Sequence, residues 1–513
     1  MEKAENKHVS DERRKWGLRN AITVLGVLYS LYHIFIVMNL LEYFDTNIDA
    51  ITHRAISLYL TLILVFLLLP FSKKSARAGG AWWDWILIIG GGISCGFIAL
   101  FFELGWADPS IYPLSGEFRK TVEVCLSAII MVLVLEATRR VIGWALPLVA
   151  IFLLIYTIFS NYFPGYFQGR GYSLARVASH IYMWSEGIWG LPMGVAATTI
   201  VIFFIFSAFL TETGAGDYFT AMAMSLFGTK RGGTAKAVIV SDIFFGMASG
   251  STSASVVTTG VFTIPMMKKA GYSPNFAGAV EAVSSNGAQI TPPVMGAVAF
   301  VMCEMLDMPY RIVVVSALIP ALFYWAILYI TLDVNAAAKG IRGLSRSEVP
   351  PVMSTLMSGW FFLAPVAAII LFIVWLKYTP EMSALYGVCV LLVITLFLKQ
   401  GRMGPRKIIK ALEGAARGMM LVTTACATAG IILGCISLTG VGAKFATLVI
   451  SAALGNTFLV LAFAAFGCFI LGMGMSSIPV YLTVAITISP ILVEAQIEPF
   501  VGHLFLFWWA LAS

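Results

Sequence analysis

Two polar segments interrupt the apolar sequence in the middle of the chain, and their residue types suit the binding of small ions. Residues 249–254 read SGSTSA, and residues 284–293 read SSNGAQITPP. Backbone that is not helical at membrane depth persists only where protein or water satisfies its amides and carbonyls. We therefore predict a re-entrant hairpin tip that faces a broken helix, an arrangement by which secondary transporters bind substrate and ions near the bilayer midplane.

The ends of half-helices define the chemistry of such a site. Their N-termini offer free N–H donors to a carboxylate, and their C-terminal carbonyls suit a cation, so that one site can hold both. The predicted substrate-binding residues are Ser249, Gly250, Ser251, Thr252, Ser253, Asn286, Thr291, Pro292, Ser476 and Ser477. The predicted cation-binding residues are Ser251, Ser285, Asn286, Gly287, Gly472, Gly474 and Ser476.

Asp242 and Glu281 are the acidic residues deep in the apolar sequence near these segments. At 1.5 Å per residue both lie roughly 7–12 Å to the cytoplasmic side of the predicted site. An ionisable group at that depth is a functional candidate, here for coupling to a proton gradient. The structural alternative is an ion pair of either carboxylate with Lys236 or Lys268.

The elements that position these residues belong to a polytopic membrane protein. The 513 residues are 59% hydrophobic and 12% charged, and the mean hydropathy is +0.89. Such a composition is typical of an all-α protein with many membrane-spanning helices. About twelve crossings are predicted, near 20–40, 55–71, 82–102, 121–138, 142–160, 190–210, 275–306, 311–332, 356–376, 383–398 and 419–438, and from Pro499.

The remaining composition excludes several classes. The net charge of +7 comes from basic residues in short loops, which indicates membrane orientation and not nucleic-acid binding. The seven cysteines lie in apolar segments without a C-x-x-C pair, and the five histidines are scattered, so no cofactor and no metal other than possible sodium are predicted. Keeping the basic loops inside places the N-terminus in the cytoplasm.

The second half of the chain repeats the first at an offset of 226, which falls to 225 after a one-residue deletion. The offset aligns residues 213–219 with 439–445, Gly246 with Gly472, Ser251 with Ser477, Pro265 with Pro490, and Pro274 with Pro499. Five predicted crossings separate the copies, so the second is expected to be inverted, with its own hairpin tip at 472–477. The alternative for the Gly/Ser runs is tight helix packing through small residues.

At these residues the chain resembles the large membrane subunit of tripartite ATP-independent periplasmic (TRAP) transporters. The resemblance lies in SGSTSA, IPMMKKAGYSPNFAGAV and QITPPVMGA, while LEATRRVIGWALPLVAIFLLIYTIF resembles the branch that uses a TAXI-type binding protein. The first break departs from the commonest dicarboxylate-type pattern. The resemblance implies an inverted-repeat elevator transporter in a bacterial or archaeal cytoplasmic membrane. It also implies a periplasmic TAXI-type substrate-binding protein as partner, a small organic anion as substrate, and a sodium or proton gradient as driving force.

Three regions are expected on this basis. Residues 1–160 form an N-terminal scaffold with small-subunit-like helices. Residues 161–350 form the first repeat, with hairpin 1 at about 233–267 and the broken helix at about 275–306, and residues 351–513 form the second, with hairpin 2 at about 457–493. The offset would carry the first break beyond Ser513, so the natural protein is expected to continue.

Two other functions compete with a transporter. A channel could use the same polar tips, but two inverted hairpins suit alternating access better than a continuous pore. An intramembrane enzyme would need a catalytic cluster, and neither Asp242 nor Glu281 lies in an enzyme motif. A nucleotide-binding motif of the G-x-x-x-x-G-K-[ST] type does not occur in the sequence, which agrees with gradient coupling.

Overall fold

The computed structural model describes residues 2–40, 42, 48–71, 82–106, 116–249, 252, 255–256, 259–292, 294–397, 401–472 and 477–512. Within these ranges the regular structure is entirely helical. Ten helical stretches of the described residues are long and apolar enough to cross a membrane, which confirms the predicted all-α polytopic membrane protein. They are Arg19–Val37, Ala50–Leu68, Trp82–Glu103, Glu117–Val141, Ala145–Tyr162, Leu191–Glu212, Tyr310–Ala338, Arg346–Trp375, Pro380–Phe397 and Pro405–Thr439.

The α-helices are numbered along the chain. They are α1 (Glu2–Val37), α2 (Ala50–Leu68), α3 (Trp82–Glu103), α4 (Gly116–Val141), α5 (Ala145–Phe159), α6 (Leu174–Ala178), α7 (Leu191–Val195), α8 (Val201–Glu212), α9 (Ala215–Phe227), α10 (Gly233–Ser249), α11 (Gly260–Lys269), α12 (Pro274–Ala288), α13 (Ala297–Met305), α14 (Tyr310–Ala338), α15 (Val352–Gly359), α16 (Leu363–Ile370), α17 (Pro380–Phe397), α18 (Pro405–Thr439), α19 (Val441–Ala452), α20 (Thr457–Gly472), α21 (Ser477–Glu494) and α22 (Pro499–Ala512).

These helices group into two compact units. One comprises Met1–Val201 with Ala416–Ser513, and the other comprises Ile202–Ala415. The proposed boundaries at residues 160 and 350 divide the chain by its repeats and not by compactness, so they stay a prediction.

The unit Ile202–Ala415 contains the first hairpin and the broken helix. Helices α10 and α11 are the two arms of the hairpin, and both pack on α12. Their apolar faces share a buried cluster with α14, because burial of such faces is what holds these short helices together. The cluster includes Ala235, Val238, Ile239, Met267, Ala277, Val280, Trp325 and Leu332.

The predicted crossing at 275–306 is two short helices. Helix α12 begins at Pro274, where the Ser273 hydroxyl accepts a hydrogen bond from Phe276 N, the usual start of a helix with proline at its first position. It ends at Ala288, and α13 begins only at Ala297. Irregular backbone with a left-handed Met295 (φ 61°) lies between them. The predicted break is therefore present in the helix.

The second copy has the same local plan within its own unit. Gly214 before α9 and Gly440 before α19 are aligned by the offset of 226, and both are left-handed, with φ of 88° and 64°. A left-handed residue at a helix junction favours glycine. Helices α20 and α21 then form two hairpin arms, and α22, like α12, begins at a proline. Their inverted orientation and the elevator motion stay predictions.

Candidate functional site

The first-copy hairpin meets α12 at two buried carboxyl groups. Asp242 on α10 and Glu281 on α12 have no exposed surface. The hydroxyl oxygen of Thr259, the residue before α11, lies 2.8 Å from Asp242 Oδ1 and 2.6 Å from Glu281 Oε1. One hydroxyl group thus joins both carboxyls, and with them three helices. The sequence predicted only a similar depth for the two acids, and the structure shows that both contact the same hydroxyl group.

The two outer carboxyl oxygens also have hydroxyl partners. The Thr263 hydroxyl, one turn along α11, donates to Glu281 Oε2. The Ser285 hydroxyl, one turn along α12, donates to Asp242 Oδ2 at 3.2 Å. Buried carboxyls are tolerated only when hydrogen-bonded in this way. Ser285, predicted as a cation ligand, is here a donor to the carboxyl pair.

The structural alternative required a lysine partner for this pair. Lys236 Nζ instead lies 2.5 Å from Asp333 Oδ1 on α14, where Arg231 also pairs. Lys268 is exposed. Among the residues that the structure describes, no lysine or arginine nitrogen lies within 4.0 Å of either carboxyl. The pair therefore has no compensating cation there.

A second polar network lies where the hairpin tip meets the end of α12. The Thr252 hydroxyl donates to Asn286 Oδ1 at 3.1 Å and accepts from Gln289 Nε2. Gln289 Oε1 is buried and has no hydrogen-bond partner within the described residues. A buried acceptor left open in this way suits a donor or a cation. Thr252 and Asn286, both predicted, are thus brought together.

Three other predicted residues, Thr291, Gly287 and Pro292, lie in tightly packed surroundings at the end of α12. The Thr291 hydroxyl donates to Gly287 O at 2.7 Å and accepts from Trp325 Nε1 at 2.8 Å. A side chain on Gly287 would collide with Tyr324, since an added Cβ would lie 2.2 Å from its ring. Pro292 is buried beside them. These residues fix the end of α12, and their roles as ligands stay predictions.

The remaining predicted residues lie mainly outside the described parts of the chain. These are Gly250, Ser251, Ser253, Gly474 and Ser476, together with the side chain of Ser249, while Gly472 is described only as the last residue of α20. Ser477 is described, and it is half-buried at the start of α21. A shared site of the first tip, the first break and the second tip therefore stays a prediction.

Gly246 brings the first hairpin arm into contact with α12. A Cβ at this position would lie 1.9 Å from the Ala288 Cβ, a distance at which the helices must separate. The close approach brings α10 against the end of α12, beside the polar network around Asn286. Position 246 therefore requires glycine because of helix packing and not because of its backbone conformation.

Replacing Gly246 with alanine is therefore expected to lower the free energy of unfolding by about 1–3 kcal/mol, as overpacking of a tight contact does. Gly278→Ala on α12 is the matched control, because nothing lies within 4 Å of its added Cβ. Thermal unfolding of the purified protein in detergent measures both. Equal midpoints for the two variants would contradict the close contact.

The second copy shows that this junction can pack without acids. The repeat offsets align the five residues of the carboxyl network with positions that all lie in one buried apolar cluster of α20, α21 and α22. In the order Asp242, Thr259, Thr263, Glu281, Ser285 the aligned residues are Cys468, Val484, Ile488, Leu506, Ala510. The second copy thus has the same helix plan with apolar side chains at all five positions.

Sequence reasoning missed Thr259, Thr263, Gln289 and Gly246. Thr259 and Thr263 are four residues apart, the spacing that places two side chains on one helix face. Together with a deep acid on the next helix, this spacing could have indicated the network. Gln289 lies in the predicted break, but the sequence does not show that its side-chain oxygen is left without a hydrogen-bond partner, because this depends on packing. The distance between Gly246 and Ala288 has no sequence signal.

Comparison with known proteins identifies the family to which the chain belongs. The family whose description is "Tripartite ATP-independent periplasmic transporter, DctM component" matches residues 129–513, which is more than half of the chain. No curated protein matches the chain. The match covers both hairpins, the broken helix and all residues of the carboxyl network.

Proposed function

Because the chain belongs to the DctM family of tripartite ATP-independent periplasmic transporter components, we propose that it imports a small organic anion driven by an ion gradient. The family makes it a membrane permease and not an enzyme. Transporters of this type work with a periplasmic substrate-binding protein. The TAXI type of that partner, the carboxylate substrate and a cytoplasmic N-terminus are parts of the proposal.

The polar network around Asn286 supports a solute site at the first hairpin tip. It joins the tip to the end of α12 through Thr252, and the buried Gln289 Oε1, which has no partner in the described residues, can accept from a donor group of the solute. An anion at this place would be bound by hydroxyl, amide and backbone donors.

We propose the proton as the coupling ion, with Asp242 and Glu281 as its carriers. The observation that carries this choice is the contact of both carboxyls with the Thr259 hydroxyl at 2.6 and 2.8 Å. These are hydrogen-bond distances between oxygens, which supports a pair joined through hydrogens. The paired carboxyls also lack a lysine or arginine partner in the described residues, which agrees with charge compensation by protons.

The test is uptake of a labelled organic anion into proteoliposomes that contain the permease, with the partner binding protein outside. A pH gradient and a sodium gradient are imposed separately. Concentrative uptake under the pH gradient alone, dependent on the binding protein, supports the proposal. Uptake that requires sodium at fixed pH would exclude proton coupling, and flux independent of the binding protein and of any gradient would support a channel.

Replacing Asn286 with leucine is expected to reduce uptake at least about tenfold, because the variant loses the acceptor of Thr252 and fills the tip with an apolar side chain. Asn275→Leu is the matched control, since it makes the same change at an exposed position of the same helix. Both variants are compared in the uptake assay and by size-exclusion chromatography. Wild-type uptake by Asn286→Leu would remove this residue from the site.

A further inference from the structure

The hydrogen bonds around Thr259 do not balance if both carboxyl groups are ionised. Its hydroxyl oxygen has three oxygen neighbours within 2.8 Å, namely Asp242 Oδ1, Glu281 Oε1 and the Ser255 carbonyl at 2.7 Å. A threonine hydroxyl has one hydrogen to donate, and ionised carboxylates and carbonyls have none. At least one further hydrogen is needed to turn the contacts with both acids into hydrogen bonds.

The hydrogen of a bond between two oxygens is carried by one of them, so the other hydroxyls around the pair, on Thr263, Ser284 and Ser285, cannot supply it. Thr263 donates to the outer oxygen of Glu281, and Ser285 donates to the outer oxygen of Asp242. Ser255 O already accepts from Thr259 N at 2.8 Å. The missing hydrogen must therefore lie on a carboxyl group, which then donates to Thr259 Oγ1. Either acid can hold it, because rotation of the hydroxyl reverses the direction of the chain of bonds.

No other charged group in the described residues replaces this hydrogen. The titratable side chains on the elements packed around the pair are not bonded to either carboxyl. Lys236 on α10 pairs with Asp333 on α14, and the Tyr324 hydroxyl on α14 donates to Val283 O. The exposed ones are Asp217 on α9, Lys268 and Lys269 on α11, and Lys339 at the end of α14, which lies over Phe276. The hydroxyls of Tyr218 and Tyr272 are buried and have no hydrogen-bond partner within the described residues, so neither donates to the carboxyl pair.

We infer that Thr259 is the positioning residue of the proton site: its hydroxyl holds Asp242 and Glu281 together only while the pair carries a proton. Loss of the proton leaves two like charges on α10 and α12 and a Thr259 contact without a hydrogen, so the Thr259 end of α11 is no longer held to both acids. Proton binding thereby closes the hairpin on α12. The inference rests on the proposed function for its role in coupling, but the pH-dependent contact can be measured without transport.

The test is amide hydrogen exchange of α11 in the reconstituted full chain, on the acidic and on the alkaline side of neutrality. Rates are corrected for the intrinsic pH dependence of exchange. We expect protection of residues 260–269 to fall about tenfold on the alkaline side in the wild type. Thr259→Val, which removes the hydroxyl at nearly constant volume, abolishes this pH dependence, and Thr259→Ser retains it.

Thr331→Val is the matched control, because it removes a hydroxyl that bonds only its own helix, Ile327 O at 2.8 Å, on an exposed face of α14. It is expected to keep the wild-type pH dependence. Protection that does not change with pH in the wild type, or that changes equally in Thr259→Val, overturns the inference even if uptake is proton-driven. A pH-dependent α11 together with sodium-driven uptake instead overturns the proposed coupling and leaves the Thr259 contact standing.

Discussion

Replacing Glu281 with glutamine is expected to abolish concentrative uptake driven by a proton gradient, while exchange of substrate across the membrane continues. The amide has nearly the shape of a protonated carboxyl group and can still donate to Thr259 Oγ1, which lies 2.6 Å from Glu281 Oε1. It cannot release a proton. Asp242→Asn is expected to act in the same way through its contact at 2.8 Å. Uptake and counterflow in proteoliposomes separate the two activities.

Glu304→Gln is the matched control for this experiment, since it neutralises an exposed acid on α13. It is expected to leave proton-driven uptake unchanged. Sodium coupling predicts a different outcome: uptake then needs sodium at fixed pH and survives both Glu281→Gln and Asp242→Asn. Concentrative proton-driven uptake by both variants would remove the carboxyl pair from the coupling mechanism.

We expect that replacing three residues of the carboxyl network with the residues aligned to them in the second copy abolishes uptake and does not lower the free energy of unfolding. The variant combines Asp242→Cys, Thr259→Val and Glu281→Leu. Cys468, Val484 and Leu506 pack together in the second copy. Replacing a buried ionisable network by apolar groups of similar volume is often neutral, or stabilising by about 1–4 kcal/mol. The remaining hydroxyls of Thr263 and Ser285 can bond carbonyls of their own helices.

Thermal unfolding in detergent and uptake are measured on the same preparation of this triple variant. We expect a midpoint equal to or above that of the wild type, and uptake at the level of empty liposomes. The reciprocal variant Leu506→Glu buries an unpaired acid in the second-copy cluster and is expected to lose about 3–5 kcal/mol. A triple variant far less stable than the wild type would mean that the carboxyl pair is part of the fold itself.

Composition and sequence pattern were sufficient to predict the class of the protein and the position of the break in its helix. Mean hydropathy and the length of the apolar runs are sufficient for a polytopic helical membrane protein, because apolar segments of that length have no other stable environment. The prolines and glycines of the break predicted two helices where hydropathy alone predicts one, and α12 and α13 are separate. The duplicated glycines Gly214 and Gly440 have the same left-handed conformation.

Which of the deep polar residues contact one another depends on how the helices pack, and the sequence did not predict it. Helical rise gave Asp242 and Glu281 a similar depth, but depth does not give the face of each helix, which is set by how α10, α11 and α12 pack. That packing puts one Thr259 hydroxyl between the two acids and directs Lys236 to Asp333. It also depends on an approach of Gly246 to Ala288 that no local pattern encodes. Residue types and spacing thus identified the candidates, and side-chain contacts between helices distant in sequence decided how they are joined.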